Sequence, residues 1–193
     1  MAKQYWQARI GQNIEVAQLL SGDEAILENI EKSADVIVKA YQGGGKLLLC
    51  GNGGSAADSQ HIAAELVSRF YRERKALDAE ALTVNSSSIT AIGNDYSYDS
   101  VFSRQVEAKG RKGDVLIGIS TSGNSPNVIK AIEKGNEIGM ITVGLTGSRK
   151  EAAINKSASI VIGVPSSVTP RIQEMHILIG HMICEYIEEK LFP

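Results

Sequence analysis

The sequence predicts a three-layer α/β fold, in which one five-stranded parallel sheet carries helices on both faces and is preceded by extra N-terminal helices. Three observations predict it. Short, fully apolar runs of strand length recur along the chain, as strands buried on both faces require. Amphipathic stretches of helical period alternate with these runs at the spacing of βαβ units. Finally, 193 residues, 43% of them hydrophobic, fill one core and are too few for two, so residues 1–193 read as a single domain.

In chain order, residues 5–20 place Ile10, Ile14, Ala17 and Leu20 at helical spacing, and residues 23–42 place Ile26, Ile30, Ala34, Ile37 and Val38 likewise. Two amphipathic helices therefore open the chain, and Gly43, Gly44 and Gly45 stop the second. KLLLC at 46–50 is the first strand; ALTV at 81–84, DVLIGIS at 114–120, MITVGLT at 140–146 and ASIVIGV at 158–164 supply the other four. Helical patterns lie between them: SAADSQHIAAELVSRF at 55–70, YDSVFSRQVEAKG at 98–110, SPNVIKAIEKGNEIG at 125–139, and a closing stretch over 169–190. Residues 1–42 are surplus to the sandwich. An exposed apolar stripe on them favours self-association, so a homo-oligomer is predicted.

Twenty basic against twenty-two acidic residues leave a net charge of −2, so no global positive field attracts nucleic acid or an anionic membrane. Any bound anion must be gripped locally. Cys50 and Cys184 lie in apolar strand-like and helix-like runs, which suits buried thiols in a reducing compartment better than a disulfide. The opening MAKQYWQARIGQN has no long apolar segment, and no run of about eighteen apolar residues occurs anywhere. Both facts argue against a signal peptide or membrane span and for a cytoplasmic protein.

Ligands of open α/β sheets collect beyond the carboxyl ends of the strands, where loops meet helix N-termini. Two loops have chemistry for that place: GNGGS at 51–55 and STSGNSP at 120–126. In the second, Ser125 fits an N-cap and Pro126 the first helical position, so free N–H groups of the next helix face the loop. Ser120, Thr121, Ser122 and Ser125 add hydroxyls, and hydroxyls with helix amides form a phosphate cradle that needs no lysine. Ordinary turn-making explains one such loop; two at equivalent strand ends point to a binding crevice. GNGGSA also fits the relaxed G-x-G-x-x-G/A dinucleotide fingerprint, but the next strand ends in Val84 and Asn85, without the acidic residue a ribose needs. No G-x-x-x-x-G-K-[ST] is present, which leaves a sugar phosphate as the better ligand class.

His61 and Glu65 stand four residues apart on a helix beginning near Ser55 and so share a face, with Asp58 beside them and Ile62, Leu66 and Val67 toward the sheet. The pair could share a divalent metal, the carboxylate could act as a base, or both could be an ordinary solvated helix pair. A second cluster lies in RIQEMHILIGH at 171–181, where Gln173 and His181, eight apart, can border one cavity at different depths. His176 is well off that face and reads as packing or surface.

Four motifs in order, CGNGGSAADSQHIAAEL, IGNDYSYDSVFSRQV, GDVLIGISTSGNSPNVIKAI and RIQEMHILIGH, resemble the phosphoheptose isomerase family of the sugar isomerase (SIS) fold over nearly the whole chain. The resemblance implies a flavodoxin-like sheet and a homotetramer with sites at subunit interfaces, residues 1–42 taking part in the contacts. It implies one zinc ion per subunit and conversion of sedoheptulose 7-phosphate to D-glycero-D-manno-heptose 7-phosphate, for nucleotide-activated heptose and surface lipopolysaccharide. Matched position by position, it implies Glu65 as base and His181 as acid, with His61, Glu65, Gln173 and His181 as zinc ligands. Asn52, Gly53 and Gly54 match the first substrate loop, Asn94 and Asp95 the second, and Ser120, Thr121, Ser122 and Ser125 the phosphate cradle. It further implies that Glu65 and Gln173 face the substrate and that Ser55 and Arg69 lie near the same cavity. One departure is visible: the position before Arg171, often aspartate in the family, is Pro170. The chemistry agrees, since aldose–ketose isomerisation through a cis-enediol needs one base near the carbons, one acid near the oxygens and no redox cofactor. The DnaA initiator-associating proteins resemble the same sequence, including RIQEMH and the ending LFP, and act as interaction tetramers without the full base and acid pair. Glu65 together with His181 favours the enzyme; an isomerase of another phosphosugar is the remaining alternative.

Overall fold

The computed structural model describes residues 2–193. Helices α1 (Ala2–Ser21) and α2 (Glu24–Gln42) lead into β1 (Leu47–Gly51), α3 (Gly54–Val67), β2 (Ala79–Ala81), α4 (Ser86–Asp95), a 3-10 turn (Tyr98–Ser100) and α5 (Ser103–Lys109). β3 (Val115–Ile119), α6 (Pro126–Ile138), β4 (Ile141–Thr146), α7 (Ile154–Ser157), β5 (Ile160–Gly163) and α8 (Thr169–Leu191) complete the chain.

The strands pair in parallel in the order β2-β1-β3-β4-β5. The order reverses between β1 and β3, so the chain leaves these two neighbours in opposite directions and a crevice opens beyond their carboxyl ends. Gly51 pairs with Ile119, so the two strands finish level and the loops after them start side by side.

Every residue of β1 and β3 is buried, and successive side chains alternate between two cores. Leu47 and Leu49 pack with Ile37 of α2, Ile62 and Leu66 of α3, and Ile179 and Ile183 of α8. Leu48 and Cys50 pack with Val106 of α5, Ile132 of α6 and Ile154 of α7 on the other face. Each such aliphatic side chain contributes about 1.5–3 kcal/mol on burial. Cys184 belongs to the first core and Cys50 to the second, so the sheet separates the thiols, and burial pushes both up to about 12.

The second strand lies earlier than the 81–84 predicted for it. Asn85 caps α4 by accepting a hydrogen bond from Ser88 N at 2.9 Å, and the approach to that cap turns Thr83 and Val84 out of the ladder. α4 is itself a correction, since Asn94 and Asp95 end a helix and do not lie in a loop. The 98–110 helix divides into the 3-10 turn and α5. Val67, predicted to face the sheet, is 48% exposed because α3 ends there.

α1 packs through Val16 and Leu20 and reaches α8 through Asn13, which donates to Glu174 Oε2 at 2.7 Å. Tyr5, Trp6, Ile10 and Ile14 stay more than half exposed, the apolar stripe expected from the sequence. Among the described residues, no helix is long and apolar enough to cross a membrane.

Candidate active site

β1 delivers the chain to Gly53, whose positive φ of 57° turns it abruptly into α3. α3 and α8 then lie close together where a glycine of each makes room for a side chain of the other. A Cβ on Gly54 would stand 2.9 Å from Gln173 Cδ, and one on Gly180 would stand 2.6 Å from Ile62 Cδ1. With Gly54 beside Gln173 and Ile62 beside Gly180, the helices run in parallel register, and His61 meets His181. Their Nε2 atoms are 2.9 Å apart, and Glu65 Oε1 is 3.2 Å from His61 Nε2.

The donor atoms of His61, Glu65 and His181 all lie within 4.8 Å of one another. Both Nε2 atoms face the same small space, and an imidazole nitrogen without a proton offers a lone pair to it. Two imidazole nitrogens and a carboxylate oxygen suit a divalent transition-metal ion, and this group can hold one. Gln173, with its carboxamide on Gly54, sits at the amino-terminal end of the same seam, about two helical turns before His181. The His61 side chain is 49% exposed, so the group opens to solution on this chain. Asp58 stands one turn before His61 with Oδ2 buried and without a hydrogen-bond partner. Burial raises its carboxyl above the usual range, opposed by the charge of His61.

At the end of β3, Ser120 Oγ lies 2.9 Å from Ser125 Oγ and 3.4 Å from Ser122 Oγ, and Ser122 Oγ accepts from Asn124 N at 3.2 Å. Ser125 and Pro126 hold the N-cap and first-turn positions of α6, but the Ser125 hydroxyl makes no capping bond; it turns back toward Ser120. Thr121 and Ser122 also line a small cavity of about 50 Å³ with Ser148, Arg149, Ser166 and Thr169. Nothing in the sequence pointed to Arg149.

The two loops are tied together by a pair that sequence reasoning missed. Asn52 and Asn127 exchange carboxamide hydrogen bonds, 2.9 Å in each direction, and Tyr98 Oη donates to Asn52 Oδ1 at 3.2 Å. The Asn52 side chain is thereby committed to holding the α3 loop against the start of α6. Ser55 is buried against Gly51, and Gly53 and Gly54 remain exposed. Asn94 and Asp95 are exposed and bond to each other at 2.8 Å. Arg69 is exposed and faces Glu73 at 3.8 Å. His176 takes the packing alternative: fully buried, it bonds through Nε2 to Thr146 O at 3.1 Å, and burial lowers it to about 4. Two wider clefts, of about 410 and 470 Å³, open near Asp78 at the amino-terminal edge of the sheet and hold none of His61, Glu65 and His181.

Residues 14–147 match the SIS domain family. A phosphoheptose isomerase from Clostridium acetobutylicum is 53% identical across 98% of this chain and 96% of its own length. The chain belongs to the phosphoheptose isomerase family. A relative of the same name from Aneurinibacillus thermoaerophilus is 52% identical across 97% of this chain and 94% of its own. The structure of the phosphoheptose isomerase from Neisseria gonorrhoeae, 42% identical, matches with a TM-score of 0.91 over 98% of this chain and 100% of that one. Membership of the phosphoheptose isomerases makes the chain an enzyme, an aldose–ketose isomerase, with the α/β SIS fold.

Proposed function

We propose that the enzyme converts sedoheptulose 7-phosphate to D-glycero-D-manno-heptose 7-phosphate, the step that feeds nucleotide-activated heptose and surface polysaccharide synthesis in the cytoplasm. The observation that carries this reading is the meeting of His61 and Glu65 with His181, 120 residues from His61, beyond the strand ends that also bear the serine cradle.

The hydroxyls of Ser120, Thr121, Ser122 and Ser125 and the first amides of α6 hold the substrate phosphate, which fixes the far end of the sugar and sets where its carbons stand. Gly53 and Gly54 let the backbone approach the chain of the sugar, while Asn94 and Asp95 reach it from α4, Ser55 backs the loop from beneath and Asn52 holds that loop in place. Glu65 takes the proton from the carbon beside the carbonyl and returns it to the neighbouring carbon. His181 moves the accompanying proton between the two oxygens, so the enediol forms and collapses without net oxidation. His61, Glu65, Gln173 and His181 would hold one zinc ion per subunit, which when bound polarises the sugar oxygens. Pro170 offers no carboxylate, so this reading leaves the part of the base to Glu65 alone. The exposed stripe on α1 and the half-open histidine group support a homotetramer whose subunits close one another's crevices.

The reading is tested by isomerase assay on sedoheptulose 7-phosphate with zinc supplied. Glu65→Gln is expected to lower turnover by on the order of 10²–10⁴. A wild type inactive on this and on pentose and hexose phosphates would instead identify an interaction tetramer; activity on the shorter sugars alone would move the substrate class.

A further inference from the structure

The loop from Ser68 to Asp78, between α3 and β2, is organised by a buried ion pair that the reaction described above does not use. Arg74 Nε lies 2.7 Å from Glu188 Oε2, and the two side chains are 1% and 2% exposed. α3 ends at Val67 without a glycine, and Arg74 supplies its C-terminal cap. Arg74 Nη2 donates to Glu65 O at 2.9 Å, and Nη1 donates to Leu66 O at 2.9 Å and Ser68 O at 3.4 Å. A cation on the last carbonyls also suits the helix dipole. Glu188 belongs to α8, seven residues and about two turns beyond His181, and so shares its face. It accepts from the backbone N–H of Phe70, Tyr71 and Arg72 at 3.2, 2.8 and 2.7 Å. That grip places the Phe70 ring 5.8 Å from the His181 ring.

A buried ion pair is a poor way to gain stability, because taking both charges out of water costs about as much as their attraction returns. What this pair supplies is geometry. One end holds the backbone of Glu65, and the other holds the helix of His181 and the aromatic ring that backs it. Resting on the acid–base reading above, we propose that Arg74 and Glu188 are positioning residues of the reaction, setting where Glu65 and His181 stand relative to each other. Burial pushes the Glu188 carboxyl up, but Arg74 and the three N–H groups outweigh it and hold it below the usual range, so the pair stays charged.

The test compares full-length wild type with Glu188→Gln and Arg74→Lys, a lysine being unable to fork across several carbonyls. In both, kcat is expected to fall about 10- to 100-fold, because misplacement on the scale of an ångström is enough. KM is expected to hold within about twofold, since the phosphate cradle is untouched. An unchanged kcat, an equal rise in KM, or a loss that vanishes when rates are scaled to the folded fraction seen by circular dichroism would reduce the pair to a structural brace. Should Glu188→Gln not fold, Phe70→Leu removes the ring behind His181 with the ion pair kept, and is judged by the same criteria. An inactive wild type sinks the proposed reaction alone; the visible spectrum of the Co²⁺-loaded protein then decides. A ligand-field band altered in the variants supports the positioning role, and an unaltered band, or no Co²⁺ bound by wild type, overturns it.

Discussion

Gln173 rests on Gly54 because Gly54 leaves room for it, with the carboxamide carbon 2.9 Å from where a Cβ would stand and the carboxamide nitrogen closer still. Gly54→Ala is therefore expected to move the end of one flexible side chain while the first turn of α3, which accepts alanine, stays put. With Gln173 in the proposed zinc set, turnover and bound metal should fall about 10- to 100-fold, while the melting temperature moves by no more than about 2 °C. Metal analysis and thermal unfolding of the one variant check both. His176 makes a different demand. Its folded value of about 4 lies below the ordinary 6.5, so as pH falls the unfolded chain takes up the proton first. Its contribution is complete above about 6.5 and drains away toward pH 4, about 2 kcal/mol being lost by pH 5. Urea unfolding at pH 7 and pH 5 should show that loss in wild type and not in His176→Gln. His61, Glu65 and His181 were legible because helical spacing and family motif agreed. Asn127 was not, because an asparagine after Ser125 and Pro126 reads as an ordinary first helical turn, and its partner Asn52 lies 75 positions away.

Among the elements, β1 and β3 were readable to within a residue because both are apolar throughout, whereas AEALTVN mixes short and polar side chains and its tail is claimed by the Asn85 cap. α4 was missed because SSSITAIGND has the composition of a loop; the asparagine three residues before Ser88 was the available signal. Arg74 and Glu188 were hidden for a related reason, since each reads as part of a solvated charge run until the fold brings them together across 114 residues. The seam between α3 and α8 depends on Gly180 as the site depends on Gly54, but Ile62 is buried and has little freedom to move aside. Gly180→Ala is expected to cost about 1–3 kcal/mol through overpacking. It should also spread His61 from His181 and so lower activity in the fraction that remains folded, in contrast to Gly54→Ala, which spares the fold.

For the whole molecule, alternation of strands and helices gave parallel pairing, and the reversal of strand order beside β1 turned two separate loops into one crevice. What the pattern could not convey is that the histidine group is left half open on a single chain. A tetramer is expected by multi-angle light scattering, and charge placed on the α1 stripe, as Ile10→Glu with Ile14→Glu, should give a smaller species with reduced turnover; a fully active monomer would remove α1 from the assembly. The Asn52 and Asn127 bridge has one more consequence. Carboxamides neither gain nor lose protons, so the two bonds between Asn52 and Asn127 act as a ruler that rests on no titrating side chain of its own. In the proposed reaction, with Glu65 and His181 as the proton carriers, the pH–rate curve is therefore expected to report proton transfer rather than a loosening between the loop after β3 and the α3 loop.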